Sequence, residues 1–214
     1  DLDLTVTPLD AVKLKFTTQP APLSASSKTN FTTQPAASLV DQYENIVTTN
    51  STSKITLEAV LASDGTTIAS GKLEADTNPM TISSGTAQFS GVNYDLPDKI
   101  KLKASSGSLT VGLSSEITVI KSTAAVKFTD INGTERISYA VGENIYVKVT
   151  DLDENSSTSS KQSVTATVRT GTSGDSESVT LKETGDDTGI FMNLGTAKPQ
   201  APLPSGLGTG INGD

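Results

Sequence analysis

The chain has 214 residues, 16 Lys and Arg against 24 Asp and Glu for a formal net charge of −8, and no Cys, His or Trp. Within this chain those absences exclude Cys and His nucleophiles, Ser–His–Asp triads, haem or iron–sulfur ligation through His or Cys, Cys/His zinc sites and disulfides. The acidic balance argues against nucleic acid, because Arg occurs only at 136 and 169 and the lysines are scattered. No apolar run approaches the ~20 residues of a membrane span, so no membrane span is expected.

Ser and Thr total 59 residues, whereas hydrophobic residues make up 34% and aromatics 4%. Thr, Val and Ile suit pleated, half-buried surfaces, and Ser and Gly suit turns. No stretch carries apolar residues at a helical period, so the composition predicts an all-β chain with shallow cores. The first residue is Asp, and no charged-then-apolar leader precedes the first strand, which reads as a processed or truncated form.

Residues 1–7 alternate apolar and polar, with Leu2, Leu4 and Val6 on one side, and predict a strand that Pro8 ends. A second strand is expected over 12–17, broken by Pro20 and Pro22. Lys15-Phe-Thr-Thr-Gln-Pro-Ala21 recurs as Asn30-Phe-Thr-Thr-Gln-Pro-Ala36, a spacing suited to two neighbouring strands. Strands are then expected at 38–40, 54–61, 66–75, 85–92, 99–105 and 116–120, with a turn at 41–45. Lys99, Lys101 and Lys103 alternate with Ile100, Leu102 and Ala104, an inside/outside pattern. Short strands at this spacing predict a sandwich of antiparallel sheets.

A second unit begins near Ser122, with strands expected at 124–129, 144–150, 163–170, 176–182 and 189–194. Residues 198–214 are rich in Pro and Gly and carry no strand signal. The two units share a seam. Leu4-Thr-Val-Thr-Pro-Leu-Asp-Ala-Val-Lys-Leu-Lys-Phe16 parallels Ile117-Thr-Val-Ile-Lys-Ser-Thr-Ala-Ala-Val-Lys-Phe128. The second seam closes one unit and opens the next. The expected organisation is therefore an N-terminal strand and linker at 1–9, a sandwich at 10–121, a second sandwich at 122–197 and a tail at 198–214. With about five strands, the second sandwich is expected to be incomplete.

Phe31-Thr-Thr-Gln-Pro35 followed by Val40-Asp-Gln-Tyr-Glu-Asn-Ile-Val47 resembles the Ig-like repeats of large bacterial and archaeal surface proteins. Gly85-Thr-Ala-Gln-Phe-Ser-Gly91 and Ile100-Lys-Leu-Lys-Ala-Ser-Ser106 resemble later strands of the same repeat. Glu44 stands where such repeats usually carry Gly, which implies a looser turn. The second unit is similar to another surface repeat through 149–155, 175–181 and 183–191. The resemblance implies two tandem Ig-like β-sandwiches. It also implies an extracellular, cell-surface location, neighbouring Ig-like repeats as partners and a role as scaffold or spacer in an adhesin, S-layer or filament, not an enzyme.

Two candidate sites stand out. Asp151, Asp153 and Asn155 place oxygen ligands at every second residue of a loop, an arrangement suited to Ca²⁺. There is no EF-hand Gly or distal Glu, and the same residues read more readily as turn formers in a solvated loop. The Asp41/Glu44/Asn45 turn reads as structural. Leu2, Leu4 and Val6 are the second site. A strand left over from a preceding unit suits donation to the incomplete second unit of another copy, giving a head-to-tail homopolymer. Truncation is the alternative explanation for the leftover strand. An adhesin module binding a glycan or host protein is the alternative function, disfavoured by the scarcity of aromatic residues.

Overall fold

A computed structural model describes residues 7–140, 142–169 and 176–194. The chain divides into two compact units, Asp1–Lys121 and Ser122–Asp214. Every regular element among the described residues is a β-strand. Leu2, Leu4 and Val6 and the 198–214 tail lie outside the described residues.

In the first unit, β1 (Lys13–Thr18), β3 (Ala36–Val40) and β7 (Thr86–Gln88) form one antiparallel sheet. The larger sheet runs β2 (Ser24–Ser26), β11 (Ile117–Ile120), β9 (Asp98–Ser105), β4 (Lys54–Leu61) and β6 (Met80–Thr81), with β10 (Gly112–Leu113) also on β9. A small third ladder joins β5 (Leu73–Glu74) to β8 (Asn93–Tyr94). The strand alternation places the core. Ile100, Leu102 and Ala104 of β9 are buried and meet Leu61, Ala59 and Leu57 across the β4 ladder. On the opposite face Lys103 pairs with Glu58 at 2.6 Å. Leu14, Phe16 and Leu39 of the facing sheet join the same core.

The repeated Phe-Thr-Thr-Gln-Pro segments do meet. Ala21 and Thr33 exchange both backbone hydrogen bonds at 3.1 Å. Gln34 acts as a latch: its amide donates to the Phe31 carbonyl at 2.6 Å, and its oxygen accepts the Val92 N–H at 2.7 Å. Gln19, at the matching place in the earlier copy, accepts the Ser115 N–H at 2.9 Å. These side chains satisfy backbone groups where the prolines stop the ladder. The long strand expected over 66–75 shrinks to β5. Asp64 captures the N–H groups of Thr66 and Thr67, and Tyr94 and Asp95 capture those of Gly71 and Lys72, so no partner strand receives them.

The second unit contains β12 (Ala125–Thr129), β13 (Tyr146–Thr150), β14 (Ser163–Arg169), β15 (Ser176–Glu183) and β16 (Ile190–Met192). All five lie in one antiparallel sheet, in the order β12-β13-β16-β15-β14. The second sheet that a sandwich requires is not found among the described residues. Ile145, Val147, Val149, Val168, Val179, Leu181 and Phe191 form its core.

The two units open on the same framework. In the first, Leu14 faces Leu39 across β1 and β3, and the chain then turns through Asp41-Gln-Tyr-Glu-Asn45. In the second, Val126 faces Val149 across β12 and β13, and the chain turns through Asp151-Leu-Asp-Glu-Asn155. The third strand of each framework, β7 or β16, then pairs with the inner strand.

Candidate functional site

Each shared turn is built on its leading Asp, whose short carboxylate can reach backbone amides further along the loop. Asp41 accepts the N–H groups of Tyr43 and Asn45 at 2.9 Å, and the N–H of Leu9 at 3.0 Å. Burial alone would raise its pKa, yet these donors together hold the carboxyl below its usual range. Glu44 does occupy a left-handed position, with φ +71°, the kind of site that favours Gly. Its carboxylate reaches back to Lys13 and Lys15, which fastens the turn to β1.

The corresponding turn in the second unit is held by other partners. Asp151 accepts the Asp153 N–H at 3.0 Å, and Asn155 donates to Asp187 at 2.6 Å. The structure therefore gathers Asp151, Asp153 and Asn155 in one loop and adds Asp187 from the 184–189 loop. Asp130 is occupied with its own turn, accepting from Asn132 and Thr134, and Glu135 pairs with Lys127. Among the described residues, no group of three or more Asp and Glu side chains is arranged to hold a metal ion.

Glu183 supplies an anchor that the sequence pattern did not single out. Its buried carboxylate accepts N–H groups from Thr188 and Gly189 at 2.8 Å and from Gln162 at 3.2 Å. Burial pushes its pKa up, but the amides of Gly189, Thr188 and Gln162 pull it down further, and the net shift is downward. The Glu-Thr-Gly-Asp-Asp-Thr-Gly loop thus wraps around its own leading carboxylate. Gly189 (φ +59°) also lies against the Asp151 backbone, where a Cβ would sit 2.9 Å from the carbonyl oxygen.

A concavity of the second unit lies along the open edge of β14. It is a groove of about 520 Å³, walled by Val126, Val149, Asp151 and Glu154 on one side and by residues 163–167 on the other. The sheet is therefore curled, with β12 and β14 facing each other across a gap. β12 pairs only with β13, and β14 only with β15, among the described residues. Val126 reaches this gap uncovered. At matched register, Leu14 and Phe16 of β1 are 4% and 6% exposed, whereas Val126 and Phe128 of β12 are 63% and 44% exposed. The shared seam, Ala11-Val-Lys-Leu-Lys-Phe16 against Ala125-Val-Lys-Phe128, could have marked Val126 and Phe128 as framework residues. It could not have marked them as uncovered.

No protein-family model matches the chain, and no curated protein sequence matches it. No helix among the described residues is long and apolar enough to cross a membrane.

Proposed function

We propose that the chain is a structural module of a prokaryotic cell-surface protein. On this reading two tandem Ig-like β-sandwiches serve extracellularly as scaffold or spacer and extend head to tail by strand addition. The observation that carries it is the repeated framework: paired opening strands in the same register, followed by an Asp-x-x-Glu-Asn turn, in two successive units. Repetition of one small β unit suits a protein whose task is reach and stiffness. The leading Asp of each turn is engaged by backbone amides, which favours a mechanical role over a chemical one, and the reading makes the chain non-enzymatic.

Force spectroscopy on the full chain tethered by its ends tests this. The first unit, with β1 and β11 held into separate sheets, is expected to unfold as one discrete step under load. A glycan and matrix-protein binding screen on the same chain is expected to be blank. Saturable binding by the first unit would turn the assignment toward an adhesin.

A further inference from the structure

In the first unit, β4 is flanked on its inner side by β9 through six residue pairs, and β11 pairs β9 in turn. By order in the chain β14 is the counterpart of β4, since each is the first strand after the Asp-x-x-Glu-Asn turn. The side of β14 away from β15 has no strand partner among the described residues, and it borders the groove. The second unit thus presents a gap where the first unit carries its closing strands. Its walls expose Val126 and leave Val164 and Ala166 half-buried, whereas Leu14, Ile55 and Leu57 at the corresponding places are buried.

We propose that this groove is the acceptor for residues 1–7 of a second copy of the chain, with Leu2, Leu4 and Val6 entering it. The inference rests on the structural-module reading and assigns that module its assembly site. Three observations select this occupant. Leu4-Thr-Val-Thr7 matches Ile117-Thr-Val-Ile120 in the shared seam, and Ile117-Thr-Val-Ile120 is β11, whose Ile117 and Val119 are buried as a closing strand. Leu2 to Val6 spans four residue steps, the same as Ser163 to Thr167 along the groove, about 13 Å in extended chain. The chain's other terminal segment is ill suited to a central position. Pro199, Pro202 and Pro204 lack the N–H that a strand bonded on both sides needs. The entering strand satisfies the open edge of β14 and covers Val126. A donor at one end and an acceptor in the other unit make the contact heterologous, so copies add in series.

The test uses the full chain in sedimentation velocity from micromolar to near-millimolar concentration. The wild-type chain is expected to pass from monomer to dimer to longer species. Leu4→Asp/Val6→Asp removes the donor and Val126→Arg blocks the acceptor. Val126 lies outside the packed core of the second unit, and an unchanged far-ultraviolet spectrum and melting curve verifies folding of both variants. Each variant alone is expected to remain monomeric. Mixed in equal amounts they should give a dimer and nothing longer, because each retains only one working end. A labelled Asp1–Thr7 peptide should bind the donor-deficient variant, fail to bind Val126→Arg, and lose binding when its order is scrambled. A wild-type chain that stays monomeric throughout overturns the proposal, as does a mixture that does not pair. So does a second unit destabilised by Leu4→Asp/Val6→Asp in dilute monomer, which would place the chain's own residues 1–7 in the groove. A wild-type chain that stays monomeric would remove head-to-tail extension from the module reading, while its scaffold role is decided separately by the force and glycan results.

Discussion

Two strands of nearly the same pattern meet different fates in the two units. Lys13-Leu-Lys-Phe16 of β1 and Ala125-Val-Lys-Phe128 of β12 each open a unit, each pair antiparallel with the strand before an Asp-x-x-Glu-Asn turn, and each turn an apolar pair to the same face. The first pair is buried beneath β4, β9 and β11; the second is largely open. Alternation in a strand states which face is meant for a core. Whether that face is covered depends on what another part of the chain, or another chain, lays over it.

The comparison is broken most directly at Leu14 and Val126. Leu14→Ala is expected to destabilise the first unit by about 2–4 kcal/mol through lost burial and a residual cavity. Val126→Ala is expected to change the second unit of the monomer by less than about 0.5 kcal/mol, as for exposed sites generally. Denaturant titration followed by two-dimensional NMR, which reads each unit separately, checks both. Equal losses would show Val126 to be covered in the monomer and remove the contrast.

The two turns sharpen it at a smaller scale. Asp41→Ala strands the N–H groups of Leu9, Tyr43 and Asn45, whereas Asp151→Ala strands that of Asp153. Asp41→Ala should lower the first unit's melting temperature by roughly 5–10 °C, and Asp151→Ala should lower the second unit's by about 2 °C or less. Calorimetry with and without added Ca²⁺ also reports on the 151–155 loop. A melting temperature for the second unit that rises with Ca²⁺ and loses that rise in Asp151→Ala would assign the loop a metal.

The smallest effect expected is one of pH. Glu183 is held below the usual glutamate range when folded, so the charged form contributes stability above that range. That contribution is lost as pH falls from the ordinary glutamate range through the lower folded value. Glu183→Gln, which keeps an acceptor oxygen but cannot titrate, should flatten the acid limb of the second unit's stability profile. An unchanged limb would show that Glu183 does not govern it.

Much of this was legible beforehand. The lysine-alternating strand over 99–105 forms β9, with its even-numbered apolar residues inward, because a period of two is a property of the strand itself. The five strands expected in the second unit all form, within one or two residues of their expected ends. Short ladders such as β2, β6 and β10 were not legible. They are defined by the partner that reaches them, as β2 is by its parallel pairing with β11. The roles of Gln34 and Glu183 were hidden for a related reason. Their amide partners lie 58 residues away for Gln34 and Val92, and across loops for Glu183.

By itself the sequence determined that the regular elements of the described residues are strands, which face of a strand is apolar, and that a framework is used twice, since period, turn chemistry and repetition are local properties of the text. Tertiary structure alone decided that the first framework is roofed by a second sheet, whereas the described residues of the second form one curled sheet with a groove. That outcome depends on which distant strands arrive to satisfy an edge, and no residue of the edge encodes them.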